Sequence, residues 1–122
     1  VILADTAVWI DFFRQGQPEL RRLLEKNQVA MHPCIVAELA LGSVHDRLQT
    51  LARLDNMPQL RMVSLPDVRQ MIEARGLFSM GIGLTDAHLV ASCLTAPGTL
   101  IWTTDARLGK VAESLSIRAD LP

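Results

Sequence analysis

Four acidic side chains stand in apolar sequence with little basic company. Asp5 ends the run VILAD, Glu38 lies inside IVAELAL, Asp86 inside GLTDAHLVA, and Asp105 follows LIWTT, with Arg107 close by. Taking an isolated carboxylate out of water is costly, so such a group needs a partner, a cage of hydrogen bonds or a metal ion. The other acids are differently placed. Glu19, Glu25, Asp46, Asp55, Asp67, Glu73 and Glu113 each have an Arg or Lys within three positions, Asp120 lies near Arg118, and Asp11 has Arg14 three residues on. These read as solvated helix faces, where an ion pair contributes only ~0.3–0.5 kcal/mol.

Helix capping competes with chemistry as an explanation of the first group. Asp5, Thr6, Thr85, Asp86, Thr104 and Asp105 all fall where helical patterns begin, and a Thr or Asp cap is worth typically ~1 kcal/mol. In LTDAHLVASC, Thr85 is the natural cap. Glu38 resists this account, because it falls in the second turn of a pattern that opens at Pro33, among Val36, Ala37, Leu39 and Leu41. Four converging carboxylates would repel one another and raise their own pKa values. A hard divalent cation relieves that repulsion, and an all-oxygen site suits Mg²⁺ or Mn²⁺. Beside a phosphodiester such an ion activates water and stabilises the leaving oxygen; a pair of ions would sit ~3.5–4 Å apart. Metal-dependent phosphodiester hydrolysis is the chemistry these residues suggest.

Strand-like and helical patterns alternate through the elements that must carry them. VILAD is a buried strand, and Val8, Trp9, Phe12 and Phe13 follow at helical spacing. PELRRLLEKN is a helix, QVAMH a short strand, and PCIVAELALGS a helix from Pro33 to Gly42. Residues 46–56 form an amphipathic helix, RMVSL a candidate edge strand, and PDVRQMIEARGLF a helix to about Gly76. Gly81-Ile-Gly83 is a flexible joint before the helix LTDAHLVASCL, which Pro97-Gly98 ends. TLIWTT is the clearest buried strand; the helix DARLGKVAESL and a short strand near Ile117 complete the chain. The pattern predicts one domain over residues 1–122. Its fold class is a three-layer α/β/α domain with a central, mainly parallel sheet of about four to five strands. Ligands of such sheets bind beyond the carboxyl ends of the strands, where Asp5 and Asp105 fall.

The composition, 49% apolar and 20% charged over 122 residues, is that of a globular domain with a single core. A net charge of −1 gives no basic bulk field for nucleic acid or membrane, though a bound cation can reverse the field at one site. Cys34 and Cys93 read as buried free thiols, which with the absence of a leader or a membrane-length run leads to an expectation of a cytoplasmic protein. Arg14, Arg107 and Lys110 are candidates for phosphate contact, against a default of solvated surface. His32, His45 and His88 show no ligand spacing, and His88 is expected on a helix surface.

VILADT, PCIVAEL, DAHLVASCL and IWTTD, in this order and spacing, resemble the PIN-domain ribonucleases, specifically the VapC-type toxins of bacterial toxin–antitoxin pairs. The resemblance spans essentially the whole length. It implies that Asp5, Glu38 and Asp86 are the principal metal-site acids and Asp105 the fourth, with Thr103 supporting the site through its hydroxyl and Thr6 beside it. Ala7 departs from the D-T-S found in many relatives, which removes one hydroxyl from the surroundings of the site. The resemblance further implies an RNA substrate, a homodimer, and a VapB-like antitoxin whose tail occludes the acidic groove. Two other classes compete. A phosphoacceptor-type domain also has a strand-end Asp but needs further residues this chain lacks; a non-catalytic α/β interaction module would leave the acids as caps.

Overall fold

The computed structural model describes all residues from Val1 to Pro122. Three strands, β1 (Ile2–Ala4), β2 (Val29–Ala30) and β3 (Leu100–Trp102), form a parallel sheet in the order β2-β1-β3. Ile2 pairs with both Val29 and Leu100, and Ala4 pairs with Trp102. The helices are α1 (Thr6–Gln15), α2 (Pro18–Glu25), α3 (Pro33–Ala40), α4 (Arg47–Asp55), α5 (Leu65–Arg75), α6 (Leu84–Leu94) and α7 (Ala106–Ser114). This is the expected three-layer α/β/α architecture.

The sheet is narrower than the four to five strands expected. RMVSL forms no strand; the chain touches β2 only upstream, through one bridge between Met31 and Gln59. The ladder stops there because His32 turns away to cap α3 and Pro33 has no N–H to donate. The final segment likewise gives one bridge, Ile101 to Arg118, closed by Ile101 N–H to Ile117 C=O and Ala119 N–H to Ile101 C=O.

Local sequence explains most boundaries. Pro18 and Pro33 occupy first helical turns, where a missing N–H costs nothing. Gly76 ends α5 at φ +65°, a conformation that favours glycine. The core holds Leu3 and Ala4 of β1, Ile101 and Trp102 of β3, Trp9 of α1, and Leu108, Val111 and Ala112 of α7. Helix α6 is the most enclosed helix: every residue from Ala87 to Cys93 is buried, and the helix packs on α3, α5 and β3. His88 is therefore inside the protein, not on a helix surface, and its Nδ1 has no hydrogen-bond partner. Of the cysteines, Cys93 is buried and Cys34 only half-buried; neither is disulfide-bonded. No helix is long and apolar enough to cross a membrane.

Candidate active site

Adjacent strands β1 and β3 lead into connections that run to opposite sides of the sheet, which opens a crevice at their carboxyl ends. Asp5 and Thr103 are the first residues beyond β1 and β3. The Asp5 N–H extends the ladder to the Trp102 carbonyl at 3.0 Å. Its side chain is buried and caps α1, with Oδ1 accepting from the Val8 N–H at 3.1 Å. Thr103 Oγ donates to Asp5 Oδ2 and accepts from the Asp105 N–H at 3.0 Å. One hydroxyl, 98 positions from Asp5 in the sequence, thus ties together Asp5 and Asp105.

Asp105 caps α7, with Oδ1 accepting from the Arg107 and Leu108 N–H groups at 2.9 Å each. Its own side chain is exposed. Glu38 is exposed as well, contrary to the buried position expected from its apolar neighbours. In α3, Ile35 and Leu39 take the inward face, so Glu38 falls outside it and its neighbours in sequence are not its neighbours in space. Thr6 Oγ donates to Glu38 Oε1 at 2.5 Å, which joins α1 to α3 across the crevice.

Asp86 is half-buried in the first turn of α6. Gly83, and not Thr85, is the N-cap, which places Asp86 at the third helical position, one turn beyond the cap. Burial raises the Asp86 carboxyl above its ordinary pKa, and the charges of Asp105, Asp5 and Glu38 raise it further; the Gly83 N–H acts in the opposite direction. Asp5 is raised too, by burial first and by Asp105, against the hydrogen bonds from Thr103 and Val8. The four carboxylates thus share one electrostatic neighbourhood. None is in an ion pair: the three present are Glu19–Arg22 at 2.9 Å, Glu113–Arg118 at 3.4 Å and Asp46–His45 at 3.4 Å.

The donor set is all oxygen, which matches a hard divalent cation. As the side chains stand, no three of them close on a single point tightly enough to hold a metal ion. Three of the four are held where they stand by hydrogen bonds, Asp5 from Val8 and Thr103, Asp105 from the Arg107 and Leu108 N–H groups, and Glu38 from Thr6. Like charges with nothing positive between them also favour standing apart.

The candidate phosphate contacts separate. Arg107 is exposed in the first turn of α7, two residues after its cap Asp105, and the exposed Lys110 is three residues further along that helix. Arg14 is in the last turn of α1, the opposite end from Asp5, about 13 Å along the helix axis, and is not brought to the site. Sequence reasoning missed one contact here. Gly81 lies directly under the Arg107 side chain, and its only trace in the sequence is the glycine itself.

The sequence matches the PIN domain family over residues 2–114. Over 108 residues it is 37% identical to Ribonuclease VapC32 of Mycobacterium tuberculosis, in strains CDC 1551 and H37Rv alike, a match that covers 88% of this chain and 87% of that protein. The family match runs from β1 into α7, through the elements that hold the four acids, and the chain belongs to the PIN-domain family and, within it, to the VapC type.

Proposed function

We propose that this chain is a divalent-metal-dependent endoribonuclease, the toxin of a type II toxin–antitoxin pair, and that Asp5, Glu38, Asp86 and Asp105 form its catalytic site. One observation carries the assignment: the half-buried Asp86 carboxyl is raised by burial first and then by the charges of the other three acids, and none of the four is in an ion pair. A stable protein retains such repulsion at a cost in stability, which a bound cation offsets. The name of the similar mycobacterial ribonuclease supports RNA as the substrate.

A Mg²⁺ or Mn²⁺ ion held by these acids would lower the pKa of a water and stabilise charge on the phosphate. The protein groups do the positioning. Asp5 is locked by the Val8 N–H on one oxygen and the Thr103 hydroxyl on the other, which leaves its remaining lone pairs aimed from a fixed carboxylate. Asp105 spends Oδ1 on its helix cap and keeps Oδ2 free. Glu38 spends Oε1 on Thr6 and keeps Oε2 free. Asp86 stands on the most enclosed helix, which fixes the backbone from which its carboxylate projects.

A VapB-like antitoxin and a second copy of the chain are the proposed protein partners. The surface supports them with exposed apolar side chains at the end of α3 and the start of α4, Leu41 and Leu48, and on α1, Ile10 and Phe13.

The test is cleavage of RNA by the purified chain with Mg²⁺ or Mn²⁺, with excess EDTA, and by the Asp5→Asn and Asp86→Asn variants. Loss of cleavage in EDTA and in both variants is expected. Undiminished cleavage in EDTA would remove the metal from the mechanism, and full activity of both variants would remove the site.

A further inference from the structure

Two arginines in this fold lie against glycines, and they differ in what their charge does. Arg118 rests on Gly109 of α7, where an added Cβ would come within 2.9 Å of its Cζ, and it pairs with Glu113 at 3.4 Å. That arginine is an ordinary clamp between the last helix and the terminal segment. Arg107 rests on Gly81, where a Cβ would come within 2.8 Å of Cδ and 3.2 Å of Nε. Its guanidinium has no ion pair and donates no hydrogen bond within the protein, although Asp105 caps the same helix only two residues before it.

An unpaired arginine beside carboxylates needs an explanation. A flexible guanidinium within reach of Asp105 would swing onto it and form a bidentate pair. Here the backbone and the stem of the side chain are constrained, although the residue is exposed. Its backbone N–H is held by the Asp105 cap at 2.9 Å, and its stem lies across Gly81, on the segment that enters α6 and carries Asp86 five residues on. Gly81 is suited to this twice over, because φ is +81° and because any side chain would occupy the place the arginine stem takes.

We propose that Gly81 is a positioning residue, a seat that holds the Arg107 guanidinium off the carboxylates and presents it to a backbone phosphate of bound RNA. The proposal rests on the ribonuclease reading above. An arginine already ordered loses less freedom when it meets a phosphate, so the seat acts on substrate binding and leaves the chemical step alone.

The test is a double-mutant cycle on the full chain with mixed-sequence single-stranded RNA, reading KM and kcat separately, with circular dichroism to establish folding. Arg107→Met, which keeps the stem and removes the charge, is expected to raise KM about tenfold and leave kcat nearly unchanged. It should also flatten the salt dependence of binding by about one phosphate contact. Gly81→Ala is expected to raise KM about threefold in the wild-type background and to have no further effect on KM beside Arg107→Met. Equal Gly81→Ala effects in both backgrounds would reduce Gly81 to a strained turn and overturn the seat. An unchanged KM and salt slope in Arg107→Met would overturn the proposal even if Gly81→Ala fails to fold. A wild-type chain that neither binds nor cleaves RNA would instead overturn the ribonuclease reading, and the seat with it.

Discussion

Asp5 and His32 are built alike and serve opposite ends. Asp5 follows β1, caps α1 through the Val8 N–H and meets a hydroxyl, Thr103, from beyond β3. His32 follows β2 and Met31, caps α3 through the Cys34 N–H at 3.0 Å and meets a hydroxyl, Ser92, from the middle of α6 at 2.9 Å. The histidine cluster closes on itself. Nδ1 accepts from Cys34, so Nε2 carries the proton and donates to Ser92, whose own proton goes to the Arg61 carbonyl at 2.7 Å. It is neutral and complete. The aspartate cluster is charged and open, with lone pairs left over and three more carboxylates in its field. The same scaffold device, a capping side chain tied to a distant hydroxyl, makes a structural tie where the charge is zero and a candidate site where the charge is unbalanced.

The sharpest way to break that contrast is Asp86→Asn. If the carboxylates are functional, cleavage falls by at least ~10²-fold while the melting temperature holds or rises, because a repulsive charge has gone. A variant that loses activity and stability together would make Asp86 a structural group like His32. Thr103→Val comes next, since it removes the donor to Asp5 and the acceptor for the Asp105 N–H in one step. Cleavage is expected to drop about 10- to 100-fold, with a stability loss of about 1–2 kcal/mol measured by denaturant titration. Ser92→Ala is the matched change in the closed cluster. It strands the His32 Nε2–H and the Arg61 carbonyl, so stability should fall by about 1–3 kcal/mol with cleavage per folded molecule unchanged. An equal loss of cleavage there would dissolve the distinction between the clusters.

Much of the open cluster was legible in the sequence, and little of the closed one. Asp5 and Asp105 declare themselves because each stands at the junction of an apolar run and a helical pattern, and Asp86 because it opens an apolar helical pattern with no basic neighbour, signals within a few residues. α6 was read with the bounds it has, Leu84–Leu94, because Pro97-Gly98 and the glycine joint punctuate it. Its cap was misread, since Thr85 is the better capping residue by type and only the backbone turn at Gly83 decides. Glu38 was placed inside because its neighbours along the chain are apolar, whereas exposure depends on which helical face they share. His88 was placed outside for the converse reason: nothing local shows that α6 is covered on every side. The ties from Thr103 to Asp5, from Ser92 to His32 and from Arg107 to Gly81 join residues 98, 60 and 26 positions apart, beyond the reach of spacing or periodicity.

The two clusters should also pull stability in opposite directions on acidification. Burial first, and the neighbouring His88 second, lower His32 to about 4 from an ordinary 6.5. As pH falls through 6.5 the unfolded chain takes a proton that folded His32 refuses, so its contribution to stability is lost between about pH 6.5 and 4 and the loss then levels off. The full effect is on the order of 3 kcal/mol. Asp5 and Asp86 are raised, so in the metal-free protein they take up protons at a higher pH folded than unfolded. Their repulsion is therefore relieved as pH falls through the raised values, which offsets part of the histidine's loss. Melting temperatures of metal-free wild type, His32→Asn and Asp86→Asn between pH 7 and 4 separate the two. Asn at position 32 retains a cap acceptor for the Cys34 N–H without titrating, so His32→Asn should lose less stability on acidification than wild type. Asp86→Asn, with the compensating carboxylate gone, should lose more. Parallel curves for all three would mean that neither cluster carries the charge state assigned to it.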